Sequence, residues 1–385
     1  MNILIISDVY FPRINGVSTS IQTFKTEFEK AGHKVTLIAP EYTGNDHQDD
    51  SLIRIASRSI PYDPEDRMMK SGEIRRLIPK LDAYNFDIVH IQTPFVAHYS
   101  GIRIAKALRI PCVITYHTLF EEYLYHYIPV VPKSILKYFA RRFSSSQCNQ
   151  AHGVIAPSSI IVELLKDYGV NNNIKIIPTG IKSKKFEYGD GNKFKTSFNI
   201  PNNKPTLLNV SRVAFEKNIG LLLEVLKKVK QHFPEIMLII AGEGPAKNAY
   251  MQQAKSLGLE DNTVFVGYLD RDSELIDCYH SADIFVFSST TETQGLVLLE
   301  SMAAGTPVIS VAAMGTKDIL VDCPGAIITT GEIDDFCGKI VSLLENKQAY
   351  EKINLAAVNY AKQWDSRTLA DKMLRFYQEV ISLKI

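Results

Sequence analysis

Two doubly wound α/β units in tandem are the architecture this sequence predicts, and three observations predict it. Short β-branched, apolar runs alternate with longer helical patterns along the whole chain, as in parallel sheets with crossover helices. Most of these runs are apolar throughout instead of alternating with polar residues, as strands covered on both faces are. The openings of the two halves also resemble each other. Ile3-Leu4-Ile5-Ile6-Ser7 runs into a loop containing Asn15-Gly16, and Leu207-Leu208-Asn209-Val210-Ser211 runs into a loop containing Glu216-Lys217-Asn218. A helical pattern follows each.

In the first half the strands fall at 2–6, 35–39, 87–91, 113–116, 154–156 and 174–177. In the second they fall at 206–210, 237–241, 264–266, 284–287, 308–311 and 326–328. A boundary is expected near Pro178-Thr179-Gly180, before the basic stretch 182–195. The expected domains are therefore 1–180 and 181–364, with a last helix, 365–385, able to return to the first. A chain of 385 residues suits two domains. Ligands of such sheets bind beyond the carboxyl ends of the strands, so two facing domains would form a cleft.

Bulk properties exclude several classes. The chain is 45% hydrophobic and 22% charged, an ordinary globular composition. Its net charge of +1 gives no argument for nucleic acid. The sign is only slightly uneven: residues 1–180 carry 20 Lys+Arg against 17 Asp+Glu. The cysteines Cys112, Cys148, Cys278, Cys323 and Cys337 contain no C-x-x-C and several sit in apolar segments, so reduced, packed thiols and a cytosolic setting are expected. The histidines lack metal-ligand spacing. The start of the chain lacks a basic n-region and meets Asp8 early, so no signal peptide is expected. No run reaches the roughly 18 apolar residues of a spanning helix. A protein in solution, or one resting on a membrane surface, is expected.

The richest stretch runs from Thr291-Glu292-Thr293-Gln294-Gly295 through Leu296, Val297 and Glu300 to Gly305-Thr306-Pro307-Val308. A strand precedes it and another follows. Gly295 permits close backbone approach to a ligand. The free N–H groups at the start of the following helix suit a phosphate. Glu292 before that helix and Glu300 inside it can each accept hydrogen bonds from vicinal hydroxyls. Arg212 and Lys217, in Val210-Ser211-Arg212-Val213-Ala214-Phe215-Glu216-Lys217-Asn218, offer a planar fork and a point charge to a diphosphate.

The Glu292–Glu300 segment resembles the E-x7-E signature of retaining glycosyltransferases of family 4, and Arg212 and Lys217 resemble that family's diphosphate-binding pair. The resemblance implies a GT-B fold of two Rossmann-like domains across a cleft. It implies Glu292 on the donor sugar and Glu300 on the nucleotide ribose. Gly242-Glu243-Gly244-Pro245 and Gly267-Tyr268-Leu269 resemble two further landmarks, the second holding the base through backbone groups. Asn15-Gly16-Val17 is similar to the family's glycine loop, and His117, in Thr115-Tyr116-His117-Thr118, matches a histidine at its reaction centre. Residues 117–127 together with 291–295 resemble diacylglycerol α-glucosyltransferases, Gln294 standing where many members have Phe. Two positions depart from the pattern: Lys182 replaces a usual acid and Gln92 a frequent second histidine.

The function implied is transfer of a hexose, glucose or mannose, from a UDP- or GDP-sugar to a lipid or glycan hydroxyl, with no metal and no other cofactor. A membrane glycerolipid is one acceptor; lipopolysaccharide or exopolysaccharide assembly is the alternative. A nucleotide-sugar epimerase or a sugar-nucleotide-binding module are readings of another class. The first would need acid/base pairs, for which Glu121 and Glu122 are the candidates on the first half. Asp270-Arg271-Asp272 spells a metal motif, but its place before a helical stretch predicts capping acids. In residues 132–147, Ile135, Leu136, Phe139 and Phe143 share a helical face while Lys133, Lys137, Arg141 and Arg142 lie off it. That pattern fits docking on an anionic membrane, and equally a core helix with a solvated basic face.

Overall fold

The computed structural model describes residues 1–42, 50–60, 63–117 and 133–383. The chain divides into two units, Met1–Gly180 with Ser366–Ile385, and Ile181–Asp365.

The first unit runs β1 (Asn2–Ile6), α1 (Gly16–Lys30), β2 (Lys34–Pro40), β3 (Leu52–Ile55), β4 (Ser57–Ile60), β5 (Asp63–Met69), α2 (Ser71–Leu81), β6 (Ile88–Ile91), α3 (Val96–Leu108), β7 (Cys112–Thr115), α4 (Lys133–Cys148), β8 (Gly153–Ala156), α5 (Ser159–Asp167) and β9 (Ile174–Ile176). Its parallel sheet has the order β3-β2-β1-β6-β7-β8-β9. The central strand explains the apolar run. Ile3 and Ile5 pack with Ile21, Phe24 and Phe28 of α1 on one face, whereas Leu4 and Ile6 pack with Ile74, Ile102 and Ala105 on the other. Strand order reverses between β1 and β6, which sets the loops after these two strands side by side.

The strands 52–55, 57–60 and 63–69 were not expected from the sequence. β4 and β5 form a separate antiparallel pair, and β3 closes the edge of the main sheet. An edge strand needs less apolar cover, and Arg54 in β3 spends its guanidinium on the carbonyls of Pro40, at 2.9 Å, and Phe11, at 2.6 Å.

The second unit runs α6 (Gly191–Ser197), β10 (Thr206–Val210), α7 (Ile219–Val229), β11 (Met237–Ala241), α8 (Lys247–Ser256), β12 (Thr263–Gly267), α9 (Glu274–His280), β13 (Ile284–Phe287), α10 (Leu296–Ala303), β14 (Val308–Val311), α11 (Lys317–Leu320), β15 (Ala326–Thr329), α12 (Ile333–Glu345) and α13 (Lys347–Ala361). Its parallel sheet has the order β12-β11-β10-β13-β14-β15. Here the reversal lies between β10 and β13.

The last helix, α14 (Ser366–Ser382), belongs to the first unit. Leu369, Met373, Phe376, Tyr377 and Val380 join the cluster built on Ile3, Ile5 and Phe28. Gly153 is glycine because a Cβ there would stand 2.6 Å from Phe376 Cζ. Asp365 stays with the second unit: it bridges Ile181, whose N–H donates to the Trp364 carbonyl at 2.8 Å. The helix therefore enters the first unit one residue later than the sequence suggested.

Phe376 is buried against β8 and α1 (1% exposed). Phe376→Ala is expected to cost about 3–5 kcal/mol, read as a lower urea midpoint for the first unit. A loss under about 1 kcal/mol would mean that α14 is not part of this core.

Candidate active site

In the second unit, the reversal of strand order juxtaposes two loops distant in sequence. The chain leaves β10 through Ser211 and Arg212, makes a tight turn at Phe215–Lys217, and enters α7 through Asn218 in the left-handed conformation (φ 53°). The loop after β13 carries Glu292. Ser288, at the end of β13, donates to the carbonyls of Lys217 (3.1 Å) and Asn218 (2.9 Å), tying the two loops together. Lys217 Nζ then sits 2.5 Å from Glu292 Oε1, with both side chains about four-fifths shielded from water.

Gly295 caps α10 at φ 99°, a backbone that only glycine adopts without strain. The loop before it is clamped from behind: Gly315 N–H donates to the Glu292 carbonyl at 2.8 Å, and a Cβ on Gly315 would stand 1.9 Å from the Thr293 carbonyl oxygen. Leu296 and Val297 open α10, where the first N–H groups of a helix lack intrahelical acceptors. Gln294 is buried and Tyr268 half-exposed. Gly242 and Gly244 press against the Arg212 loop, where a Cβ would meet Ser211 O at 2.0 Å and Val213 O at 2.4 Å. Gly242 also donates to the carbonyl of Gly267 at 2.8 Å. These glycines thus seat the Arg212 loop and link it to the segment of Gly267, Tyr268 and Leu269.

Glu300 lies on the covered side of α10, 3% exposed. Arg271 pairs with its Oε1 and the Tyr279 hydroxyl donates to its Oε2 at 2.8 Å. Glu300 holds the Arg271 guanidinium above its already high value, and burial pushes the Tyr279 hydroxyl well above its usual range. Neither partner was singled out in the sequence. The N-cap of α9 is Ser273, with no side-chain cap bond, and Asp270 accepts from Asp272 N–H at 3.0 Å and Ser273 Oγ at 2.8 Å in the turn before the helix. Arg271, in the middle of that motif, instead serves the candidate ribose carboxylate. Among the described residues no three His, Cys, Asp or Glu side chains are grouped as a metal site would be.

In the first unit, Gly16 opens α1, and Asn15 accepts from Ser18 N–H at 2.8 Å. A Cβ on Gly16 would meet nothing within 4 Å, so internal packing does not require glycine there. His117 follows β7 and its Nε2 lies 2.7 Å from Gln92 Oε1. Gln92 continues to His90, and His90 to Thr115 and Tyr377. Asp8, read in the sequence only as a charge close to the start of the chain, caps α3: it accepts from Thr93 Oγ1 at 2.8 Å and Ala97 N–H at 3.0 Å. Residues 118–127, including Glu121 and Glu122, lie outside the described residues.

On α4, Tyr138 and Phe139 are each 60% exposed, with Arg141 and Arg142 beside them. Ala140, Ser144, Gln147 and Cys148 face inward instead. Phe139 therefore does not pack on the sheet. Arg141 stacks over Tyr168 at 5.5 Å. The side chains of Ile135 and Leu136 lie outside the described residues.

Burial pushes His90 down to about 3, and His98 and His117 to about 4, so the folded unit keeps them neutral. The unfolded chain protonates them below about 6.5. Stability is thus complete above pH 6.5 and is lost as pH falls toward 4. Asp8, raised by burial to about 6, has the opposite sign: its contribution is lost as pH rises from 3.8 through 6. Three histidines outweigh one carboxyl. Urea unfolding is expected to show a net loss on going from about pH 7 to pH 5, with a slope of up to about 1.4 kcal/mol per pH unit for each histidine. A flat profile would contradict the neutral cluster.

Residues 14–185 match the profile of Glycosyltransferase Family 4, and residues 190–364 that of Glycosyl transferases group 1. Alpha-monoglucosyldiacylglycerol synthase of Streptococcus pneumoniae is 35% identical over 94% of this chain and 84% of its own length. The enzyme of the same name from Acholeplasma laidlawii is 30% identical over 80% of each. Among solved structures, Anabaena HepE in complex with UDP-glucose superposes with a TM-score of 0.78 at 17% identity, covering 98% of this chain and 100% of that one. With two relatives at this identity along most of both chains, and a family profile on each unit, the protein belongs to the family 4, group 1 glycosyltransferases of the GT-B fold.

Proposed function

We propose that this glycosyltransferase retains anomeric configuration and moves a hexose, glucose before mannose, from a nucleoside diphosphate sugar to a hydroxyl of a membrane glycerolipid. The observation that carries the reading is the Lys217–Glu292 pair at the mouth of the Gly295 turn, with Glu300 anchored deeper on α10. One cation, one carboxylate and a helix start meet at the carboxyl edge of a parallel sheet. That combination suits a sugar diphosphate: phosphates take Lys217, Arg212 and the first amides of α10, sugar hydroxyls take Glu292, and the ribose takes Glu300. The glycolipid synthases among the relatives, and the UDP-glucose held by a structural neighbour, favour glucose from UDP. Assembly of lipopolysaccharide or exopolysaccharide is the alternative acceptor reading.

In the reaction the C1–O bond to the diphosphate breaks and a C1–O bond to the acceptor forms on the same face. The acceptor proton passes to a departing phosphate oxygen, and His117 sits on the acceptor side. Arg212 and Lys217 stabilise charge growing on the leaving group, an interaction stronger in the transition state than before it. With two side-chain cations in that role, we expect no metal requirement. The exposed Tyr138 and Phe139 beside Arg141 and Arg142 offer aromatic and basic groups to an anionic lipid surface. We therefore place the enzyme on the cytoplasmic face of a membrane.

Labelled UDP-glucose and GDP-mannose, offered with diacylglycerol in mixed micelles, should give an α-glucosyl lipid from the first alone. A β product would overturn retention, and donor binding without transfer to any acceptor would point to a binding module. Lys217→Ala and Arg212→Ala should each lower kcat by about 10²–10³-fold, as loss of one transition-state donor does elsewhere; full activity in both would refute the donor site. Excess EDTA should leave the rate unchanged. Anionic liposomes should sediment the wild type at low salt and release Tyr138→Ser/Phe139→Ser. Equal sedimentation of both would remove this patch as the docking surface.

A further inference from the structure

Behind His117 runs a chain of four side chains that the transfer reaction itself does not call for. His117 Nε2 lies 2.7 Å from Gln92 Oε1. Gln92 Nε2 lies 3.0 Å from His90 Nδ1, and the Tyr377 hydroxyl lies 2.5 Å from that same nitrogen. His90 Nε2 is 2.6 Å from Thr115 Oγ1. Gln92 is 4% exposed, His90 1% and Tyr377 0%, so water does not compete for these contacts. The residues come from the loop after β6, from β6, from β7 and the loop after it, and from α14 at the far end of the chain.

The geometry points to Gln92 and Tyr377 as positioning residues that hold His117 in its Nε2–H tautomer. Burial keeps the Tyr377 hydroxyl protonated and His90 neutral. A neutral imidazole carries one N–H. The Gln92 amide presents Nε2, which only donates, to His90 Nδ1, so that nitrogen is the bare one, the Tyr377 hydroxyl donates to it as well, and the His90 proton sits on Nε2 facing Thr115. A bare Nδ1 requires the NH₂ end of Gln92, because its carbonyl end would set acceptor against acceptor. The other end of the amide, Oε1, is thereby fixed on His117. A carbonyl oxygen only accepts, so His117 carries its proton on Nε2. Its Nδ1 is then an acceptor, suited to a hydroxyl donor on a sugar or an acceptor alcohol and unsuited to donating to a phosphate. Gln92, where many family members have a second histidine, thus has a structural reason for being an amide: one group must donate to His90 and accept from His117.

The catalytic consequence rests on the placement of His117 at the reaction centre; the tautomer itself does not. The test uses the full chain labelled with ¹⁵N-histidine, the His117 resonances being assigned with His117→Gln. Wild type should show a protonated Nε2 and a bare Nδ1. Tyr377→Phe keeps the ring contacts with His90 and Phe28 and removes only the hydroxyl. Gln92→Met removes both ends of the amide. Each variant should give a mixed-tautomer signal for His117 and lower kcat about tenfold, the equivalent of one hydrogen bond, with donor KM nearly unchanged. An Nδ1–H signal in wild type would overturn the lock. So would variants that shift only thermal stability while leaving tautomer and kcat untouched. Full activity of His117→Gln together with the expected signals would refute the reaction-centre reading and leave the lock standing.

Discussion

The two large sheets are parallel and covered by helices on both faces, and that constraint decides where chemistry can occur. Strand interiors such as Ile3 to Ile6 and Leu207 to Leu208 have no room for polar groups. Backbone groups of the inner strands pair with the strands on either side, whereas those beyond the strand ends are open to side chains and ligands. Charged and hydrogen-bonding side chains therefore collect in the loops at the carboxyl edges, and most densely where strand order reverses. The β10/β13 reversal brings Lys217 to Glu292 across 75 residues, and the β1/β6 reversal brings Asp8 to Thr93 across 85. Both loop pairs owe their geometry to the order of strands.

The acids at the carboxyl edge of the second sheet are already matched by partners of their own. Lys217 neutralises Glu292, and Arg271 with Tyr279 satisfies Glu300. A carboxylate as deeply placed as Glu300 would be costly without partners, since desolvation of an unpaired ion amounts to several kcal/mol. The pairing also holds each acid in one orientation. A ligand that brings phosphates to Lys217 would replace one anion on the ammonium by another, and its hydroxyls would take the place of the cation beside Glu292.

Much of the fold was legible because a strand covered on both faces must be apolar along its length. That rule located β1, β10, β11 and β13 to the residue. It failed for β3, β4 and β5, where Arg54, Arg58 and Asp63 interrupt the pattern and edge or two-stranded pairing asks for less burial. At the site, Glu292, Gly295 and Lys217 stood in recognisable local patterns. Arg271 did not, since its neighbours Asp270 and Asp272 read as helix-capping acids, whereas Asp270 bonds within the turn before α9. Phe139 was read as one face of an amphipathic helix with Phe143, yet the inward face of α4 is made of Ala140, Ser144 and Gln147. Small residues pack closely, and periodicity weighted by hydrophobicity overlooks them.

By itself the sequence determined the class of fold, the position of most strands, and the short motifs whose function is local: a glycine with positive φ, an acid at a loop end, a cation after a strand. Those depend on contacts within a few residues. Tertiary structure alone decided which distant groups meet. It set Lys217 on Glu292, put Arg271 and Tyr279 on Glu300, and returned Tyr377 from the last helix to His90 beneath His117. Such pairings are fixed by strand order and helix docking, and no spacing along the chain encodes them.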